Sequence, residues 1–340
     1  QIRSGEKSPN PCLAGARTSA GNRTRLVWMF PLEMTIMEAR FARPLIDHFI
    51  ESRTTMAFGL YKYELGSQIS WEIETQGIVH CLDYSKFDSS IPRFLIKTAF
   101  NIMATWFRPE EMEEYGWKII EEYFINTPIV MPNGRLYTGK RHGVPSGSYF
   151  TQLVDSIVNT ILIGALFYAF GVKKDWHTIL VLGDDSIFAV DWELPLDKVR
   201  NFLSRYGITV NTGKTKVGTS HFLGADWIKC LSHRDPSELA NRIVQPESFR
   251  KYDFESPIEE QVNNVIANYA SQYIEAFKFI DLNYVRVDLE TQLGMFCKMS
   301  PSLLTGSDRY RWRTLQKAGR LPRYSTRQDP TSVPTLRILT

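Results

Sequence analysis

The sequence predicts an α+β fold that combines short antiparallel strands with longer amphipathic helices. Apolar runs on either side of Gly183-Asp184-Asp185 read as two strands joined by a tight turn. Apolar residues recur with helical spacing over residues 150–166, which predicts a long helix. The same spacing over residues 258–280, after a capping box at Ser256, predicts a mainly helical last third.

The central hairpin places two carboxylates side by side at its turn. Asp184 and Asp185 would repel each other unless a cation lies between them. Hard oxygen ligands suit Mg²⁺, which takes one or two carboxylates together with substrate phosphates. The alternative is an ordinary surface turn, because Gly and Asp favour turns, and the triplet arises by chance in roughly one such chain in fifteen. Interpreting the turn as a metal site therefore requires further candidate ligands elsewhere in the chain.

Bulk composition excludes some classes of protein. A chain of 340 residues allows one large domain or two, and a net charge of +3 gives a mild preference for anionic partners. The four cysteines lack disulfide-scaffold or metal-type spacing, which favours a reducing compartment. The longest apolar stretch, residues 161–172, is shorter than the roughly 18 residues a membrane span needs, and no signal peptide is visible. The first residue is Gln1, so we expect an incomplete N-terminal region.

A second pair of acidic residues follows an apolar strand. Residues 78–82 read as a strand that ends at Asp83, and Asp88 comes five positions later. We expect Ser89 or Ser90 to cap the next helix, with Pro92 near its first position. A carboxylate at the end of a buried strand is typical of an active site. For Asp88 the alternative is a favourable charge at a helix N-terminus.

The loop of residues 143–148 leads into the long helix. Thr151, Asp155 and Asn159 lie along one line of that helix, at i, i+4 and i+8. Buried polar groups without partners are costly, so this line is either solvated or directed at a ligand rich in hydroxyl groups. Both alternatives stay open on spacing alone.

Basic residues mark further segments. Arg23 and Arg25 alternate in a strand and so share one face, where guanidinium groups could bind phosphate in a bidentate manner. A solvated strand edge is an equally good interpretation. Lys214 lies in a polar segment, and residues 309–327 form a basic tail. Between and before them, residues 222–227 predict one hairpin and Asn133-Gly134 predicts another.

Taken in order, these segments resemble the palm motifs of viral RNA-dependent RNA polymerases. The residues of these motifs are most similar to those of the enzymes of partitiviruses, which are double-stranded RNA viruses, and less similar to those of picobirnavirus-like enzymes. The resemblance covers roughly residues 10–230. Its motifs are Arg23-Thr24-Arg25, the segment from Asp83 to Asp88, the segment from Gly143 to Asn159, Gly183-Asp184-Asp185, Lys214 within residues 211–215, and Phe222-Leu223-Gly224.

The resemblance implies a right-hand polymerase with an antiparallel-sheet palm flanked by helices, partial fingers and a helical thumb. Residues 1–76 would form the partial fingers with a triphosphate-binding basic strand. Residues 77–230 would form the palm, with an inserted finger segment around 104–142. Residues 231–340 would form the helical thumb and the basic C-terminal tail.

The implied activity is RNA-directed RNA synthesis from NTPs, for replication and transcription of a viral RNA genome. The family uses two Mg²⁺ ions, with Mn²⁺ as a substitute. The expected partners are the RNA template, the product duplex, NTPs and a viral capsid, without a membrane. The expected location is the host cytoplasm or the interior of the virion.

The resemblance also implies residue roles. Asp83, Asp184 and Asp185 would be the catalytic metal ligands, and Lys214 would be a general acid, with Lys216 as the alternative. Many relatives have Asn at the position of Asp155, so the choice between Asp155 and Asn159 for sugar selection stays open. The substrate-binding residues would be Arg23, Arg25, Asp88, Ser146, Gly147, Thr151, Asp155 and Asn159.

Two other interpretations of the sequence are open. A reverse transcriptase would share the palm, but its turn is typically Tyr-x-Asp-Asp rather than Gly-Asp-Asp. A catalytically silent RNA-binding remnant is the second alternative, although the required carboxylates are all present.

Overall fold

The computed structural model describes residues 1–19, 23–52, 54–60, 62–173 and 176–233, with the backbone alone for residues 18, 19, 23, 24, 62, 63 and 176. It divides into two compact units. The first contains residues 1–17, 24–60 and 67–227, and the second includes residues 228–233. The predicted helix over 258–280 and the basic tail lie outside the described residues. The predicted domain boundaries at residues 76 and 230 remain predictions.

Helices and short strands alternate along the described part of the chain. The helices are α1 Leu32–Glu51, α2 Lys62–Ser67, α3 Phe87–Ser90, α4 Arg93–Ala104, α5 Pro109–Tyr115, α6 Trp117–Asn126, α7 Thr151–Phe170 and α8 Leu196–Ser204. The strands are β1 Cys12–Ser19, β2 Arg23–Met29, β3 Ile78–Cys81, β4 Ile129–Val130, β5 Leu136–Tyr137, β6 Ile179–Leu182, β7 Asp185–Val190, β8 Lys216–Val217, β9 His221–Phe222, β10 Ala225–Ile228 and β11 Leu231–His233. A π-helical turn, Gln68–Ile73, and two 3₁₀ turns, Glu74–Gln76 and Trp176–Thr178, complete the assignment.

A four-stranded antiparallel sheet with the order β6-β7-β3-β8 forms the centre of the first unit. In the β6–β7 hairpin Leu182 pairs with Asp185, so Gly183 and Asp184 form a two-residue turn, as the sequence predicts. Gly183 has a φ of +65°, which a residue with a side chain rarely adopts. The apolar runs of β6 and β7 are almost wholly buried, which fixes the hairpin register.

A second sheet has the order β2-β1-β4-β5. β1 pairs with β4 in parallel, and β4 pairs with β5 in antiparallel fashion. The β4–β5 hairpin turns at the predicted Asn133-Gly134, where Gly134 has a φ of +78°. A separate hairpin, β9–β10, turns through Leu223 and Gly224, again as predicted.

The hydrophobic core lies between α7, α4, α6, α1 and the central sheet. The rings of Phe100, Phe124, Trp117 and Phe150 pack against one another at its centre. Such rings each bury a large apolar area, so they account for much of the packing free energy that holds α4 and α6 against the start of α7.

One predicted helix start is wrong. Neither Ser89 nor Ser90 caps the helix that follows, because both belong to the separate short helix α3. That helix begins after Lys86, which has the left-handed φ of 55°. Pro92 is the N-cap residue of α4 and makes no side-chain capping bond.

The expectation about membrane spans also needs correction. Helix α7 extends from Thr151, well before residue 161, and by length and composition it could cross a membrane. However, 61% of its most apolar window is buried inside the protein, and its buried residues include Asp155, Ser156 and Asn159. A core helix meets the same criterion, so this finding does not by itself indicate a membrane.

Candidate active site

The topology of the central sheet brings two predicted acidic positions to one end. β3 runs antiparallel to β7, with His80 opposite Phe188. Extending this register past the end of β3 places Asp83 opposite Asp185, beside the turn that carries Asp184. Residues about a hundred positions apart in sequence therefore meet at the same edge of the sheet.

The pKa values of these groups show that the carboxylates interact. Burial and the negative charge of Asp88 raise the pKa of Asp184, and Asp83 raises it further. Burial also raises the pKa of Asp88. Asp184 and Asp88 each retain an exposed surface, so the protein partly desolvates their carboxylates without enclosing them. The arrangement concentrates negative charge at an open edge.

Asp155 is the most enclosed of these acids. Its side chain is 3% exposed, and burial raises its pKa well above the ordinary value, with further contributions from Asp88 and Asp184. Its Oδ1 atom has no hydrogen-bond partner among the described residues. A buried polar atom of this kind needs a partner, which an ordered water or a bound ligand would supply.

Asn159 supports the backbone of the acidic turn. Its Nδ2 donates hydrogen bonds to the carbonyl oxygens of Gly183 (3.0 Å) and Asp184 (3.1 Å), and its Oδ1 accepts one from the Tyr84 hydroxyl (3.1 Å). The Oγ of Ser156 accepts the N–H of Gly183 at 2.9 Å. The interpretation of this helix line as a solvated face is therefore wrong for Asp155 and Asn159, which are both buried.

The loop of residues 143–148 packs against strand β2. Ser146 Oγ accepts the N–H of Trp28 at 3.2 Å. A Cβ atom at position 147 would lie only 1.9 Å from the Trp28 carbonyl oxygen, so this position requires glycine unless the backbone moves. Thr151 Oγ1 donates to the carbonyl of Pro145 at 2.6 Å. Ser146 and Gly147 themselves are exposed.

The lysine segment lies beside Asp83. The backbone N–H of Asp83 donates to Thr215 Oγ1 at 3.2 Å, and the N–H of Asn211 donates to the carbonyl of Asp83 at 2.8 Å. Lys214, in the turn between Asn211 and Thr215, is exposed. Lys216 instead forms an ion pair with Asp226 at 2.6 Å. The contacts therefore leave Lys214 better placed than Lys216 to meet a ligand.

The two arginines can be described to different extents. Arg25 is exposed, and its positive charge lowers the pKa values of Asp88 and Asp184, so it lies within the electrostatic reach of the acidic cluster. Arg23 begins strand β2, but its side chain lies outside the described residues.

The donor chemistry fits a hard divalent cation. No group of three His, Cys, Asp or Glu side chains within the described ranges is arranged to hold a metal ion alone. Mg²⁺ needs only one or two protein carboxylates when substrate phosphates supply further oxygen ligands. Asp83 and Asp184 could form such a pair, and a cation would offset the burial and the negative charges of Asp88 and Asp83 that raise the pKa of Asp184. Asp185, the third predicted ligand, is the half-buried first residue of β7.

Comparison with known proteins identifies the family. Residues 17–272 match the sequence model of the viral RNA-dependent RNA polymerases. The chain belongs to this family. The match confirms the expected family and includes all the predicted site residues.

Two viral polymerases illustrate the sequence similarity. The RNA-directed RNA polymerase of Cryptosporidium parvum virus 1 (strain KSU-1) is 29% identical over 228 residues, covering 62% of this chain and 42% of the relative. That of White clover cryptic virus 1 (isolate Boccardo/2004) is 30% identical over 134 residues, covering 37% of this chain and 21% of the relative. The chain thus spans less than half the length of these relatives.

The fold agrees with that of a solved viral polymerase. The crystal structure of the RNA-dependent RNA polymerase of a human picobirnavirus matches with a TM-score of 0.72 and 22% sequence identity. The match covers 84% of this chain and 57% of that polymerase. The expected right-hand polymerase fold is therefore confirmed, with antiparallel sheets and helices.

Several residues that support this acidic site were not predicted. Ser156 and Tyr84 support the acidic turn through Gly183 and Asn159, and Glu38 contacts the end of the 143–148 loop. For Glu38 the available signal was a polar residue within the apolar stripe of α1. Ser156 lies between the polar Gln152 and Thr160 on α7, and Tyr84 follows Asp83 directly, so neither carried a separate signal.

Replacing Asn159 with Ala should lower the free energy of unfolding by about 1–3 kcal/mol, because the turn carbonyls and the Tyr84 hydroxyl would lose buried partners. Urea denaturation measures the change. The matched control is Asn101→Ala on the exposed face of α4, which should stay within about 0.5 kcal/mol. Equal effects of the two substitutions would contradict a supporting role for Asn159.

Proposed function

We propose that this chain carries the catalytic centre of an RNA-directed RNA polymerase. In the reaction the 3′-hydroxyl of a growing RNA attacks the α-phosphate of an NTP, the new P–O bond forms, and pyrophosphate leaves. The proposal rests on the strand register, which when extended brings Asp83 opposite Asp185 and beside the turn of Asp184, in a member of the viral polymerase family. Chemistry of this type needs positioning and charge neutralisation more than covalent catalysis.

Asp83 and Asp184 would hold two Mg²⁺ ions, or Mn²⁺ in their place, with Asp185 as a weaker or indirect ligand. When bound, such ions lower the pKa of the attacking hydroxyl and neutralise charge on the leaving oxygen. The chain's own contribution is a pair of hard oxygen ligands on a turn that Asn159 and Ser156 hold in place. Two carboxylates held close together in this way would attract a cation strongly.

Basic side chains would act on the phosphates. Arg25 is exposed and electrostatically coupled to the acidic cluster, so its guanidinium could bind the triphosphate, with Arg23 as the second predicted contact. Lys214 would donate a proton to the departing pyrophosphate. Lys216 is less suitable because it is paired with Asp226.

The ribose hydroxyls would be hydrogen-bonded by Asp88, Asp155 and Thr151. Such contacts matter because the 2′-hydroxyl distinguishes RNA precursors from DNA precursors. Both ends of the Asn159 amide group already have protein partners, whereas Asp155 Oδ1 has none among the described residues. Asp155 is therefore the better candidate for the sugar contact, and Asn159 acts through the turn.

The template would be read by base pairing, so the protein needs contacts to RNA backbone and shape. Ser146 and Gly147 are exposed on the 143–148 loop and would contact the template strand as it moves. We place this activity in replication and transcription of a viral RNA genome, with the capsid as a partner. RNA synthesis would take place in the host cytoplasm or inside the virion, without a membrane.

Asp184→Asn should lower Mg²⁺-dependent incorporation of labelled NTP by about 1,000-fold or more, because a metal ligand loses its charge. Template-directed primer extension by the complete polymerase measures the rate, and circular dichroism checks the fold. The control is Asp197→Asn on α8, which removes an exposed ion pair with Arg200 and should leave the rate unchanged. A near wild-type rate for Asp184→Asn would remove this residue from the metal site.

Asp155→Ala should reduce the preference for NTPs over dNTPs by about tenfold or more, because a site that hydrogen-bonds a hydroxyl discriminates through that bond. The ratio of kcat/KM values for the two nucleotides measures the preference. Asp155→Asn keeps the shape and a hydrogen-bonding group, so it should retain most of the discrimination. An unchanged ratio in Asp155→Ala would exclude the sugar contact, and a wild-type preference for dNTPs would favour a reverse transcriptase.

A further inference from the structure

Glu38 is a buried acid that the proposed reaction leaves without a role. It lies on the core-facing side of α1, in the apolar stripe that includes Met34, Phe41 and Leu45, and its exposed fraction is 0%. Burying a carboxylate is costly unless hydrogen-bond donors surround it. Its presence in this stripe therefore has to be explained by its partners.

Those partners lie at the junction between the 143–148 loop and helix α7. Both carboxylate oxygens of Glu38 lie 2.9 Å from Ser148 Oγ, which donates its proton to them. Oε2 also accepts the backbone N–H of Tyr149 at 2.9 Å. Ser148 Oγ in turn accepts the N–H of Phe150 at 3.0 Å. A negative charge at this point is favoured by the unpaired N–H groups at the start of a helix.

Strand β2 fixes the neighbouring part of the loop. Trp28 donates its N–H to Ser146 Oγ, and its carbonyl oxygen approaches Gly147 too closely for any side chain there. Between them, β2 and Glu38 hold both ends of the exposed segment formed by Ser146 and Gly147. A shift at either contact would move this segment.

We propose that Glu38 is a positioning residue of the polymerase, which holds the 143–148 loop in the conformation that template movement after each nucleotide addition requires. The inference rests on the proposed function. Glu38 does not touch the reacting groups and acts through Ser148 and Tyr149. It should therefore affect successive additions more than the first one.

The charge of Glu38 gives the contact a pH dependence. Burial raises the pKa of Glu38 to about 7, against the opposing effect of the bonds from Ser148 and Tyr149. Among the described residues, the titratable groups coupled to it are Cys12 on β1 and Tyr123 on α6. Burial raises both of their pKa values, that of Cys12 to about 11, so both are neutral near pH 7. Beyond them is Lys140, whose pKa burial lowers to about 7.

Stability and loop positioning should respond to pH in opposite directions. Because the folded-state pKa of Glu38 lies above its ordinary value of 4.5, the folded protein binds this proton more tightly than the unfolded chain does. The stability that Glu38 contributes is therefore lost as the pH rises towards and through about 7. Loop positioning improves over the same range, since the bonds donated by Ser148 and Tyr149 are stronger to a charged carboxylate than to a neutral carboxyl group.

The test uses the complete polymerase as wild type, Glu38→Ala, Glu38→Gln and the control Glu51→Gln, which changes an exposed residue at the end of the same helix. Hydrogen exchange at the amides of residues 148–150 reports on the loop without catalysis. We expect about tenfold faster exchange in Glu38→Ala at pH 8, a smaller increase in the isosteric Glu38→Gln, and no change in the control. Wild-type exchange rates in Glu38→Ala would overturn the proposal.

Kinetics provide the second measurement. In Glu38→Ala, successive additions on a heteropolymeric template should slow by about tenfold relative to the first addition, and in Glu38→Gln they should slow by less. In the wild type, the ratio of the rate of successive additions to the rate of the first addition should rise with pH through about 7. In Glu38→Gln this ratio should not change with pH. A wild-type ratio and pH profile in both variants would show a purely structural contact and overturn the inference alone. Absence of any nucleotide addition by the wild type would overturn the proposed function together with it.

Discussion

Mutual repulsion among carboxylates at one edge of a small antiparallel sheet is the constraint around which the described structure is arranged. Asp83 lies two residues after the end of β3, and Asp184 lies on the β6–β7 turn. Burial raises the pKa of Asp184, and the negative charges of Asp88 and Asp83 raise it further. Like charges held close together destabilise a fold unless something compensates. The positive charge of Arg25 compensates in part, since it lowers the pKa of Asp184. The cation proposed for the polymerase reaction would compensate further.

The surrounding helices keep this unfavourable arrangement in place. Asn159 and Ser156 on α7 hold the turn backbone through Gly183, and Tyr84 links Asn159 back to the chain that follows β3. The same helix begins at the end of the loop that Trp28 and Glu38 both contact. One helix thus connects the acidic turn to the loop proposed to contact the template, and a change at either end has a direct structural route to the other.

Local patterns predicted the elements whose register is set within a few residues. The Gly183-Asp184 turn followed from two apolar runs, α7 from its long stripe, and the β9–β10 turn from Phe222-Leu223-Gly224. The cap at Ser89 or Ser90 failed because Lys86 adopts a left-handed conformation that starts a separate helix, which no local pattern indicated. The supporting role of Asn159 and the burial of Glu38 depend on contacts between distant segments, which a single sequence does not reveal. The roles of the individual site residues stay predictions.

The central claim is that Asp83 and Asp184 form one cation site, and a double-mutant cycle of metal binding tests it most directly. Mn²⁺ affinity would be measured by electron paramagnetic resonance for the wild type, Asp83→Asn, Asp184→Asn and the double variant. If the two carboxylates share an ion, each single substitution should weaken binding by about tenfold or more, and the double variant should lose far less than the sum of the two free-energy changes. Strictly additive losses, or a single substitution without effect, would contradict the account.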